Sequence, residues 1–245
     1  MTTHPPFPIP ALSVALPVFN EAENLPGVLP ELADVLRALN RPFEILCVDD
    51  ASTDNTPEVL SRLQREGLPE LRILRLAENC GQSAAFGVAF RQARHPWIVT
   101  LDADGQNDPA DIPRLLDAIG DADICCGYRT GRKDTWSKRL GGKIANGARN
   151  VLLHSDIRDT GCSLKLFRRE MLTELPVWKG AHRFFPDLCV IHFQARVVQI
   201  PVNHRRRLYG ESKYTNRGRF FKTLPDVMAV RWMQRRVQTV PFNEI

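Results

Sequence analysis

The feature that most limits how this chain can fold is an alternation, through its first half, of short apolar runs with segments whose apolar residues recur at helical spacing. Residues 12–16, 43–48, 71–76, 97–101 and 124–127 are compact apolar runs bounded by turn-forming residues, and they read as buried strands. Between them, residues 24–39, 56–65, 83–94 and 109–119 read as helices, with Asp54 and Asp108 placed as caps before two of them. Strand and helix alternating at this spacing call for right-handed βαβ crossovers and a mostly parallel sheet, so the expected class is α/β. Past residue 127 the alternation loosens. The pattern predicts an amphipathic helix over 136–153, a strand over 163–167, a helix over 183–193, a strand over 196–202 and a last helix over 217–236. In that last helix Phe220, Leu224, Val227 and Met228 share a face. The expected organisation is a Pro-rich tail at 1–10, a single domain at 11–215, and a basic amphipathic helix with its tail at 216–245.

A chain of 245 residues with 43% hydrophobic and 25% charged residues suits one large core and excludes collagen-like, coiled-coil and disordered classes. Its six cysteines form no CxxC pair and no Cys/His ligand spacing, which predicts reduced thiols in a cytosolic protein rather than a zinc site or a disulfide framework. No window approaches the roughly 18 apolar residues of a membrane span, and the Pro-rich start lacks the layout of a secretory signal. Charge is unevenly placed. Residues 203–236 hold ten Arg or Lys against Glu211 and Asp226, which leaves the preceding part slightly acidic. A basic end of this kind suits an anionic partner: a phosphorylated substrate, an acidic membrane surface or nucleic acid.

Open parallel sheets bind ligands beyond the carboxyl ends of their strands. At those ends stand Pro17, Asn20 and Glu21; Asp49, Asp50, Ser52 and Asp54; Asn79, Gly81 and Gln82; and Asp102, Asp104 and Gln106. So many carboxylates on one edge repel one another unless a cation offsets them, and a divalent metal is the economical cation. Taken singly, Asp54 reads equally as a helix cap, whereas for Asp102 to Asp104 a mere strand-end turn is the lesser reading, given their place at the expected switch point. Neither GxGxxG nor GxxxxGK[ST] occurs, which disfavours a dinucleotide or Walker-type phosphate cradle.

Four stretches, VALPVFNEAENL (14–25), CVDDASTDNT (47–56), NCGQSAA (79–85) and VTLDADGQNDP (99–109), resemble the family 2 glycosyltransferases. Three more, DTGCSLKLFR (159–168), HRFFPDL (182–188) and VNHRRRLYGESKY (202–214), are similar to the subgroup that glycosylates polyprenyl phosphates. That subgroup includes dolichol-phosphate mannosyltransferases and undecaprenyl-phosphate glycosyltransferases. The resemblance runs over about residues 12–231 and implies a GT-A fold: a Rossmann-like, mostly parallel sheet flanked by helices, with an acceptor-side extension and the basic helix behind it. It also implies that Pro17, Asn20, Glu21, Asp49, Ser52 and Gln82 line the pocket of a UDP-, GDP- or dTDP-sugar, and that Asp102 approaches its ribose or phosphates. Asp104 with Gln106 would hold Mg²⁺ or Mn²⁺. Arg129, Arg139, Arg183, Arg207, Ser212 and Lys213 would meet phosphates, with Arg207 also counted among the catalytic residues. One departure is visible: the metal loop reads Asp-Ala-Asp-Gly-Gln, where the family commonly has Leu before the Gln.

The implied chemistry is inverting transfer, with the metal offsetting charge on the departing diphosphate. A sugar hydroxyl as acceptor asks for a carboxylate base, and Asp159 and Asp187 are the candidates. A lipid phosphate is already largely ionised and asks for cations instead. The basic last helix, with Trp232 near its end, suits an anionic membrane interface, so the expectation is a peripheral protein at the cytoplasmic membrane face, alone or with a membrane-protein partner. Transfer to a hydroxyl, and a nucleotide-binding module without turnover, remain the alternatives. Nucleic acid is not expected, since neither a helix-turn-helix nor an aromatic stacking platform is present.

Overall fold

In the computed structural model the apolar runs become the strands of one seven-stranded sheet. Residues 9–130, 147, 149–207, 209 and 216–237 are described, the backbone alone for 216–223. The strands are β1 (Leu12–Val18), β2 (Phe43–Asp49), β3 (Leu71–Arg75), β4 (Trp97–Thr100), β5 (Ile124–Arg129), β6 (Lys165–Arg168) and β7 (Val197–Val202), in the order β3-β2-β1-β4-β6-β5-β7. All pairings are parallel except those of β6, which runs antiparallel to both β4 and β5.

The helices are α1 (Leu25–Ala38), α2 (Thr56–Gly67), α3 (Gln82–Gln92), α4 (Ile112–Ala118), α5 (149–153), α6 (Arg169–Thr173), α7 (Phe185–Phe193) and α8 (Asn216–Arg236). Proline stands in the first turn of α1, α2, α4 and α7, where a missing N–H costs nothing. Side chains alternate across the sheet and divide the core in two. Leu12, Val14 and Leu16 of β1 join Leu25, Leu29, Leu32 and Leu36 of α1 and Ile112 and Leu115 of α4. Ala15, Leu46 and Val48 face the other way, against Ala85, Phe86, Ala89 and Phe90 of α3, Leu188 of α7, and Val227 and Val230 of α8. Each fully buried leucine contributes about 1.5–3 kcal/mol, so α1 is held by its stripe at 25, 29, 32 and 36 more than by helix propensity.

Several boundaries differ from the sequence pattern. The stretch 109–119 divides into a 3₁₀ turn (Pro109–Asp111) and α4, because Asp108 accepts a hydrogen bond from Ala110 N and tightens the first turn. The stretch 183–193 likewise starts with a 3₁₀ turn (Ala181–Arg183) ahead of α7. Asn55, and not Asp54, precedes α2, although Asp54 Oδ1 still accepts from Thr56 N at 3.0 Å. β1 runs to Val18 and β5 to Arg129, so Pro17 and Arg129 lie inside strands rather than after them. Of the helix predicted over 136–153, residues 136–146 and 148 lie outside the described residues. The face predicted for the last helix is split: Val227 and Val230 point into the core, while Leu224, Met228 and Trp232 point out.

Candidate functional site

β1 and β4 are neighbours, β2 and β3 build out to one side of them and the later strands to the other, so strand order reverses between β1 and β4. A reversal opens a crevice at the carboxyl ends of the strands. Into it run the turns after β1, β2 and β4, which carry Asn20 and Glu21, Asp50 to Ser52, and Asp102 to Gln106, with Asp49 closing β2.

One flank is a set of interlocked turns. Asn20, at φ 55°, a left-handed conformation that Asn tolerates, donates its backbone N–H to Ser52 Oγ at 2.9 Å and accepts from Thr53 N at 2.8 Å. Asp49 is buried; its Oδ1 accepts from Ser52 N at 2.9 Å and its Oδ2 stands 3.4 Å from Arg75. Asp50 takes the backbone N–H groups of Cys80 and Gly81 at 2.7 and 2.8 Å, which fixes the turn before α3. Gln82, the first residue of α3, then donates to Asp102 Oδ1 at 2.7 Å. Asn20, Ser52 and Asp49 are therefore tied to one another by hydrogen bonds and Gln82 to Asp102, while Pro17 sits in β1 beside Val48 of β2.

Asp102, reached by Gln82, and Asp104 form an acidic pair. Burial raises the Asp102 pKa, against the pull of the Ser163 hydroxyl and the charges of Lys165 and Arg129. Burial, then the charge of Asp102, raises Asp104 to about 6. Gly105 adopts φ 73°, and this turn lets Asp104 Oδ1 accept from Gln106 N at 3.0 Å. Burial raises both carboxyls against the pull of nearby cations, and paired oxygen donors of this kind suit a hard divalent ion. Among the described residues no group of three or more His, Cys, Asp or Glu assembles as a metal centre, so a metal here would rest on these two aspartates and Gln106.

A pH dependence follows. The fold favours the neutral form of Asp104, so that contribution to stability is whole below the unfolded value near ~4 and is lost as pH rises through about 6. Melting of the ligand-free protein between pH 5 and 7.5 is expected to show Tm falling with pH, with this part of the slope gone in Asp104→Asn. Asp159 acts elsewhere on the scale: burial alone would raise it, but its bonds to Arg129 hold it down at about 2, so its contribution fails only in strong acid.

The arginines are not free-standing phosphate ligands. Arg129 forks onto Asp159 at 2.7 and 2.9 Å. Arg207 donates to Glu21 Oε1 at 2.6 Å and stands 3.5 Å from Asp104 Oδ2, so Glu21 faces a cation as well as the crevice. Asp187 is buried and bonded to buried Arg149, whose guanidinium also lies 5.9 Å from the Phe184 ring centre. Arg183 is half-buried in the 3₁₀ turn before α7. Arg139, Ser212 and Lys213 lie outside the described residues.

One group escaped the sequence reading. Lys165 is buried on β6, donates to Cys162 O and places positive charge near Asp102. The signal for it was a lysine flanked by Leu164 and Leu166 in the strand predicted over 163–167.

Residues 13–175 match the model of the family described as glycosyl transferase family 2. An undecaprenyl-phosphate 4-deoxy-4-formamido-L-arabinose transferase of Pseudomonas paraeruginosa is 35% identical over 216 residues, 86% of this chain. The match takes in 62% of that relative's length. Among solved structures, the glucosyl-3-phosphoglycerate synthase of Mycobacterium tuberculosis, in complex with Mn²⁺, UDP and glucosyl-3-phosphoglycerate, has a TM-score of 0.68 at 17% identity, covering 90% of this chain and 79% of that one. S. aureus TarS in complex with UDP-GlcNAc has a TM-score of 0.57 at 18% identity, covering 90% of this chain and 66% of that one.

Proposed function

The chain belongs to glycosyl transferase family 2 and has the GT-A fold, and from that premise we propose that it transfers a sugar from a nucleotide-sugar donor onto a polyprenyl phosphate. The observation that carries the reading is the fate of the two candidate bases. Asp159 is locked to Arg129 and Asp187 to Arg149, so neither is placed to take a proton from a hydroxyl acceptor. A phosphate monoester with its second pKa near ~6 needs no such base. The name of the Pseudomonas relative, which acts on undecaprenyl phosphate, supports the same acceptor class.

Asn20, Asp49, Ser52 and Gln82 would bind the nucleoside, with Gln82 orienting Asp102 toward the ribose or diphosphate. Asp102, Asp104 and Gln106 would hold Mg²⁺ or Mn²⁺, the ions bound in the mycobacterial neighbours, and such an ion offsets the charge on the departing diphosphate. Arg207 supplies further positive charge at the crevice edge, and Arg129, held in place by its fork onto Asp159, would add positive charge toward an acceptor phosphate. An acceptor oxygen attacking the anomeric carbon opposite the leaving diphosphate breaks one C–O bond as it forms another, with inversion.

Supply of a lipid acceptor points to a membrane surface. Among the described residues no helix is long and apolar enough to cross a membrane. Leu224, Met228 and Trp232, four residues apart on α8, form an outward apolar stripe beside Arg235 and Arg236. Val151 and Leu152 on α5 are exposed close by, where Gln234 donates to Leu153 O at 2.6 Å. This basic, apolar face would lie on an anionic membrane, on the cytoplasmic side where six free cysteines stay reduced.

The test supplies UDP-, GDP- and dTDP-sugars labelled in the sugar, with Mg²⁺ or Mn²⁺ and short-chain polyprenyl phosphate, and follows label into the organic phase. Label in lipid that disappears with EDTA is expected. Nucleotide release without lipid label would replace the phosphate acceptor with a hydroxyl, and tight nucleotide binding without turnover would leave only a binding module.

A further inference from the structure

The segment after β7 crosses the carboxyl edge of the sheet as a strap, and it is fastened beyond what a surface loop requires. Asn203 N donates to Asp111 Oδ2 at 2.6 Å and Asn203 Nδ2 to Asp108 Oδ2 at 3.3 Å. His204 forms an antiparallel bridge with Asn107, and Arg205 N donates to Gln106 O at 2.8 Å. The strap is thus zipped onto the very loop that carries Asp104. Its firmest tie is the Arg205 side chain, which forks onto both Glu31 oxygens at 2.8 Å each and also reaches Asp108 Oδ1 at 2.6 Å. Two residues further on, Arg207 meets Glu21 and Asp104, while Tyr209 O accepts from Arg207 Nε at 2.8 Å and from Asn24 Nδ2 at 3.4 Å.

We propose that Glu31 and Arg205 are positioning residues whose ion cluster with Asp108 sets the strap on the Asp104 loop and thereby fixes where the Arg207 guanidinium stands. The inference rests on the reading above for what Arg207 does there. Glu31 belongs to α1, whose inner face is locked in the core, so it is a rigid post rather than another mobile surface group. A planar fork on a carboxylate defines direction as well as distance. Arg207 is long and rotamer-rich, and holding it between two carboxylates requires its backbone to be held first. Arg206, between the two, takes no part in the cluster, so the tie comes from position in the strap and not from basicity alone.

The experiment compares the full chain with Glu31→Gln, Arg205→Met, Arg207→Met and the double variant Glu31→Gln/Arg207→Met. Each is titrated calorimetrically with UDP, GDP and dTDP in the presence of Mn²⁺, and backbone amide exchange is followed over residues 203–209. Glu31→Gln is expected to weaken nucleotide binding about three- to fivefold, the size of a networked, half-exposed ion pair, and Arg205→Met somewhat more. In the Arg207→Met background the Glu31 change should have no further effect, because Glu31 acts through Arg207. Equal weakening in both backgrounds would overturn the proposal and leave Glu31 a merely structural residue. If the wild type binds none of the three nucleotides, the nucleotide-sugar reading fails by itself. Amide exchange then decides the positioning claim: faster exchange at Arg207 and Tyr209 in Glu31→Gln upholds it, and unchanged exchange overturns it.

Discussion

Asp104→Asn is expected to remove sugar transfer while leaving the protein more stable than before. The carboxyl is raised to about 6 by burial and then by Asp102, so at pH 7.5 the folded protein carries a charge that its surroundings disfavour. The amide keeps the size of the side chain and retains an oxygen for the Gln106 N–H, now held at 3.0 Å, and it gives up only a 3.5 Å attraction to Arg207. A shift of roughly two pKa units corresponds to about 3 kcal/mol at most. Some of that is recovered in the variant, so a rise in Tm of a few degrees is the expected reading for a chain of this length. Transfer should fall by about a hundredfold or more, as when a preorganised electrostatic group is removed from a reacting centre. Turnover and melting measured on one preparation check both halves. Near-wild-type turnover would remove Asp104 from the chemistry, and a lowered Tm would mean that its charge is compensated in the fold. A site that costs stability when it is empty is what a functional constellation looks like physically.

Asp187→Asn should do the reverse. Here the carboxylate is buried against a buried guanidinium, and losing one partner strands the other. Such losses cost about 3–5 kcal/mol, or a Tm drop on the order of 10 °C. Transfer per folded molecule at low temperature should stay close to wild type. Arg149→Met/Asp187→Leu should restore much of the melting temperature, since an apolar pair of similar volume needs no desolvated charge. Melting curves of the three proteins, with transfer assayed well below every Tm, check the prediction. Loss of transfer without loss of stability would return Asp187 to the role of base and bring back a hydroxyl acceptor.

Much of the site's framework was legible in the residues themselves. Strand and helix periods are local, so β1 to β5 and α1 to α3 stand close to where the pattern puts them. Their carboxyl ends then follow, because side-chain spacing along a strand determines where a turn begins. The aspartates at 49, 102 and 104 were found in this way, and so was Gln82. The second half was harder to read. β6 pairs antiparallel with two strands, a choice made by partners far away in sequence and by the path of the chain between them.

What the sequence determined by itself is the class of the fold, the edge of the sheet that would bind, and the inventory of charges brought there, because these depend on local period and residue type. Only the tertiary structure decided which charge answers which. Arg129 meets Asp159 across 30 positions, Arg149 meets Asp187 across 38 and Arg205 meets Glu31 across 174. Those pairings bind both candidate bases to guanidinium groups and tie a glutamate of α1 to the strap that carries Arg207. Coulomb energy depends on distance and on burial, and neither is a property of a residue's place along the chain.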